Sequence, residues 1–197
     1  MTGVQTCALP IFYPPSRHEW RTWLEENHLK AKSIWVVYHN KATGRPTLTW
    51  SEAVDEALCF GWIDSKVISV GNGSTHQFFS RRKAKSTWSK INKDKIERLV
   101  KEGLMAPAGF EIIEIAKQNG SWSLLDEVEE IKSPPDLEEA FALFPGSKEN
   151  FEAFSKSVKK FLLQWIVLAK RPETRQNRIN EIAEKASRNK KPKPFDT

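Results

Sequence analysis

The chain has 197 residues, a formal net charge of +6, and 39% hydrophobic and 28% charged residues, with eight Trp and eleven Phe. A chain of this length buries roughly 70% of the surface its unfolded form exposes, so it folds without disulfide or metal staples. Two cysteines rule out a disulfide scaffold, no stretch reaches the roughly 20 apolar residues of a membrane span, and together these point to the cytoplasm.

Residues 1–11 read as a translated fragment of a sequencing-library adapter, lacking the basic n-region of a signal peptide. They are set aside from the fold, and Cys7 with them. Ser16 and Glu19 fit a capping box, followed by a helix that buries Trp20, Trp23 and Leu24 at i, i+3, i+4 spacing. Residues 33–39, rich in β-branched and aromatic side chains, predict a strand. Thr49 and Glu52 fit a second capping box, opening a helix through Phe60 that Gly61 closes. Residues 62–70 and 75–80, joined by the turn at Gly71-Asn72-Gly73-Ser74, predict a hairpin. The expected N-terminal domain is therefore α+β, over 12–125, with a three-stranded antiparallel sheet packed by helices.

Helices are expected from Ser89 to about Glu102 and from Pro107 to Asn119, with Gly103 and Gly120 as their stops. Residues 126–135 are acidic and contain Ser133-Pro134-Pro135, which predicts a linker. A C-terminal helical domain follows over 136–188. Ser147 is its candidate cap ahead of Phe151 and Phe154. Val158, Phe161, Leu162, Trp165, Ile166 and Ala169 form the broadest apolar stripe in the chain, widened by Leu163 and Val167. Pro172 opens a last helix. Residues 189–197 are basic, proline-containing and expected to be unfolded.

The densest chemistry lies at 81–92. Arg81, Arg82, Lys83, Lys85 and Lys90 place five cations within ten residues, just before a helix start that carries Ser86, Ser89 and Asn92. Free N–H groups and a positive partial charge at a helix start favour an anion, and a guanidinium adds bidentate geometry. Trp62 and Trp88 are candidate walls of such a site. The bland alternative is a solvated basic loop with Trp88 in the core.

Asp64 is the one candidate catalytic carboxylate. A structural ion pair with Arg81 or Arg82 is the favoured alternative to acid–base work. Cys59 lies in an apolar run and has no base beside it in the sequence. A secondary anion candidate is Lys170 with Arg175 and Arg178 at i, i+3, for which pairing with the acidic linker is the competing role. His18, His28, His39 and His76 show no metal-ligand spacing, and no phosphate-binding loop, dinucleotide fingerprint or nucleophile elbow is present. No metal or cofactor is therefore expected.

Three segments resemble the YdeI/OmpD-associated, or bacteriocin-protection, family: 52–65, 79–92 and 169–179. The resemblance runs from about residue 12 to about residue 185. It implies a small bacterial cytoplasmic protein linked to protection or stress, with no catalytic residues or cofactor to carry over. The leading expectation is a non-enzymatic protein that binds an anionic small molecule or protein partner at 81–92. An enzyme using Asp64 with Arg81 and Arg82 in a Trp-lined pocket is the second reading. Nucleic-acid binding through the same basic segment is the third and is not favoured.

Overall fold

The sheet has four strands where three were expected, and it is mixed. The computed structural model describes residues 10–192 and contains β1 (Ile11–Phe12), β2 (Ser33–His39), β3 (Trp62–Gly71) and β4 (Ser74–Arg81) in the order β1-β2-β4-β3. β2 and β3 each pair antiparallel with β4, whereas β1 pairs parallel with β2, Ile11 opposite Trp35 and Phe12 opposite Val36. Ile11, expected to stay outside the fold with the rest of 1–11, pairs with Trp35 at an edge of the sheet. Residues 1–9, Cys7 among them, and residues 193–197 of the basic tail lie outside the described residues.

Helices α1 (Arg17–Asn27), α2 (Trp50–Cys59), α3 (Lys90–Lys101) and α4 (Pro107–Gln118) share one core with the sheet. Ile34 and Val36 enter it from β2, Trp62 from β3 and Phe79 from β4, against Trp20, Leu24, Val54, Leu58 and Leu99 from the helices. Each such side chain contributes about 1.5–3 kcal/mol relative to exposure. Two of the expected caps act at the starts of α1 and α2. Ser16 accepts from the amide of Glu19, and Thr49 and Glu52 close a full reciprocal box. Gly109 has a separate role: a Cβ there would stand 2.2 Å from the carbonyl oxygen of Cys59, so only glycine lets α4 come this close to the end of α2.

Helix α2 also carries two buried acids. Glu56, 2% exposed, accepts from Arg17 and, at 2.8 Å, from Arg21, which ties α1 to α2. Asp55 accepts from Lys95 at 2.6 Å and from Arg98, which ties α3 to α2. Buried carboxylates are tolerated when their oxygens are filled by cations in this way.

The described residues divide into two compact units between Trp122 and Ser123. The second contains α5 (Asp126–Glu129), α6 (Pro135–Leu143), α7 (Ser147–Ala153), α8 (Lys156–Val167) and α9 (Pro172–Ser187). The stretch read as a linker contributes α5, because Val128 reaches this unit's core from within the acidic run and Leu125 does so just before it. Ser147 is the first residue of α7 rather than its cap. Its hydroxyl is buried and donates to the carbonyl of Phe141 at 3.2 Å, while Gly146 takes the capping position with φ +78°. On α8 the buried stripe is Val158, Leu162, Leu163 and Ile166, and Phe161 is rotated outward.

Candidate functional site

Strand β4 ends at Arg81, and the loop to α3 begins with Arg82, whose amide donates to the carbonyl of Gly61 at 2.9 Å. Gly61, at φ +71°, is the residue that turns the chain out of α2, so the helix stop also fixes where Arg82 leaves the sheet. The Arg82 side chain then folds inward. Its guanidinium carbon lies 3.6 Å from the centre of the Trp88 ring, and Trp88 packs on Trp122 with centroids 4.9 Å apart.

Arg82 is only 7% exposed. Nη1 donates to the carbonyl of Thr87 at 3.0 Å, while Nε is buried with no hydrogen-bond partner. Burial pulls its pKa down to about 10, and the negative charge of Asp64 offsets part of that shift. A buried charge ordinarily pairs with an opposite one, and among the described residues Arg82 has a π face and one carbonyl as its close partners.

The expected ion pair between Asp64 and an arginine is replaced by two neutral donors. The Asp64 carboxylate accepts from Trp50 Nε1 at 2.9 Å and from Gln77 Nε2 at 3.2 Å. Arg81 is exposed at the end of the strand, as are Lys83, Lys85 and Lys90. Ser86 accepts from the amide of Lys83 and Ser89 accepts from the amide of Asn92, so both hydroxyls serve local turns and caps. Trp62 and Trp88 are fully buried, and the Trp62 indole donates to the carbonyl of His28 at 3.3 Å. The structure thus brings Arg82 to Trp88, and Asp64 to Trp50 and Gln77.

A cavity of about 160 Å³ adjoins the arginines. Leu29, Phe60, Ile112 and Ile115 give it an apolar wall; Arg81, Arg82, His28 and Glu111 give it polar corners. Cys59 faces no such role, because burial, reinforced by Glu56, pushes its thiol up to about 11 and keeps it protonated. Sequence reasoning missed His28, Trp50, Gln77 and Trp122. The available signal was strand alternation, which places Gln77 on the face of Phe79 and opposite Val36.

In the second unit, Arg175 is committed to Asp136 through Nε at 2.6 Å and Nη2 at 2.9 Å. Arg178 donates to the carbonyl of Trp165 and lies over its ring, and Lys170 is exposed. Arg175 and Arg178 are thus held by different partners.

No helix among the described residues is long and apolar enough to cross a membrane. Comparison with curated proteins and with solved structures gave no match. Residues 12–112 match the family described as "Domain of unknown function (DUF8412)", and residues 130–189 match the family described as "Bacteriocin-protection, YdeI or OmpD-Associated". The segments 52–65 and 79–92, which entered the resemblance, fall in the first of these matches; 169–179 falls in the second. The C-terminal part is similar to the YdeI/OmpD-associated proteins, and the chain belongs to the DUF8412 family, whose match covers just over half of it.

Proposed function

We propose that the N-terminal unit is a non-catalytic binding module that takes a small anion at Arg82, with Arg81 and His28 at the rim of its cavity. One observation carries this reading: a buried guanidinium that has, among the described residues, no carboxylate within bonding distance and no partner for Nε. A carboxylate or phosphate oxygen there would supply the missing opposite charge, and charge-assisted bonds to arginine are among the stronger hydrogen bonds. The apolar wall suits an anion carrying a short hydrocarbon or aromatic group. Glu111 is on the exposed side, where solvent weakens its repulsion. In the protective role that the second family's description names, such binding would be the recognition event.

A second reading is favoured by the exposed cations Arg81, Lys83, Lys85 and Lys90, which would meet an anionic partner surface. Catalysis by Asp64 has less support, since its carboxylate is already held by Trp50 and Gln77.

A thermal-shift screen of small carboxylates and phosphate esters tests the first reading. A ligand at about 100 times its Kd stabilises by about 2.7 kcal/mol. The expected result is a saturable shift in the parent that is lost in Arg82→Lys, which keeps charge without the fork, and reduced in Arg81→Gln. If both variants shift like the parent, or no anion shifts the parent, Arg82 is a structural residue. A response only to polyanions, falling steeply with salt, would select the exposed cations instead.

A further inference from the structure

A larger cavity, about 480 Å³, opens elsewhere in the first unit, between the end of β2, residues 47–50 and the β3–β4 hairpin. We propose that it is a second binding site, for a neutral sugar-bearing molecule stacked on Trp50. This goes beyond the anion reading and shares no lining residue with it.

The composition of the wall is the first argument. Tyr38, Asn40, Thr49, Ser69 and Thr75 line it together with Trp50, and no Lys, Arg, Asp or Glu stands among the described lining residues. His39 also lines the wall, its Nδ1 lying 3.1 Å from the Ser74 hydroxyl; an ionic ligand would find no permanently charged partner among the described lining residues, and a hydrocarbon would strand the hydroxyls and the amide. A ligand with many hydroxyls of its own suits them, because each can both donate and accept.

Register supplies the second argument. Tyr38 on β2 is opposite Thr75 on β4, and Thr75 is opposite Ser69 on β3. Three hydroxyl-bearing residues therefore form one row across three adjacent strands. At the usual strand spacing the row spans about 10 Å, the reach of a sugar ring and the group attached to it. The Tyr38 hydroxyl is buried and has no hydrogen-bond partner. Burial, and then the charge of Asp64, raises its pKa, so it stays protonated and available as a donor.

Trp50 is the third. It is 50% exposed, and its indole N–H is held by Asp64 at 2.9 Å. That bond fixes the edge of the ring and leaves a face for the C–H side of a sugar. Asp64 is thus a positioning residue here, acting through the indole.

Saccharides and nucleosides share this chemistry, and the test separates them. Calorimetry and ligand-observed NMR would use maltose, lactose, adenosine and uridine, each to about 10 mM, a range that detects millimolar affinity. Saturable binding of at least one is expected. Tyr38→Phe should weaken it about tenfold, as for loss of one buried hydrogen bond. Trp50→Ala should abolish it, and Trp50→Phe should retain part of it. The melting temperature of unliganded Tyr38→Phe, equal to the parent or higher, shows that the fold is kept. Binding of only the saccharides or only the nucleosides assigns the source. Absence of binding by all four, or binding that survives both Tyr38→Phe and Trp50→Ala, would overturn the proposal.

Discussion

The two units bury different things. The first encloses Asp55, Glu56, Gln77 and Arg82 among its aromatic and aliphatic side chains. Among the described residues of the second, Ser147 is the buried polar side chain, and its hydroxyl proton is used by the carbonyl of Phe141. Polar groups are costly to bury, so a fold that keeps them either ties elements together with them or presents them to a ligand. In the first unit both occur: Asp55 and Glu56 are saturated by four cations, whereas Arg82 and Tyr38 are not saturated. The second unit is a packed helical core, and cations such as Lys160, Arg175 and Arg178 meet acids or a carbonyl at its surface.

Substitutions at these positions sharpen the contrast. The largest effect is expected in the apolar unit. Leu162→Ala, at a fully buried site on α8, should cost about 4 kcal/mol in chemical denaturation. Glu56→Gln should cost about 3 kcal/mol in the first unit, because Arg17 and Arg21 lose their shared carboxylate but remain partly hydrated. A Glu56→Gln variant as stable as the parent would mean that packing alone joins α1 to α2.

Tyr38→Phe should have the opposite sign. Removing a buried hydroxyl that has no partner should stabilise the unliganded protein by about 1 kcal/mol. The smallest effect is expected at Asp136, whose carboxyl Arg175 holds below its ordinary value by hydrogen bonding. A depressed folded-state pKa gives stability that is present above the unfolded value and is lost as pH falls through the folded one. The pair is partly exposed, so Asp136→Asn should cost under about 1 kcal/mol at neutral pH, and the difference from the parent should vanish in strong acid.

Local signals were legible wherever a few neighbouring residues decide the outcome. The Thr49–Glu52 box, the proline starts at Pro107 and Pro172, and the turn at residues 71–74 each fix an element from within one short segment. β1 was not legible, since two residues have no periodicity and their pairing partner lies more than twenty positions away. α5 was hidden by the charge around Leu125 and Val128. The basic segment showed where the cations are, but not which would fold inward. That depended on Trp88, backed by Trp122, and the carbonyl of Thr87 meeting Arg82 while Arg81 stays outside. Asp64 was identified as chemically interesting, yet its partners Trp50 and Gln77 come from a helix start and a neighbouring strand, which sequence spacing does not connect.

The uneven exposure of the indoles has an optical consequence. Trp20, Trp62 and Trp88 are shut away from water, Trp23, Trp35, Trp122 and Trp165 are partly covered, and Trp50 stands half in solvent. Emission from the native protein should therefore be dominated by blue-shifted, shielded fluorophores. Its red edge, and the fraction quenched by acrylamide, should report mainly on Trp50. The chain thus carries its own probe at the mouth of the larger cavity, and no label is needed to follow what enters.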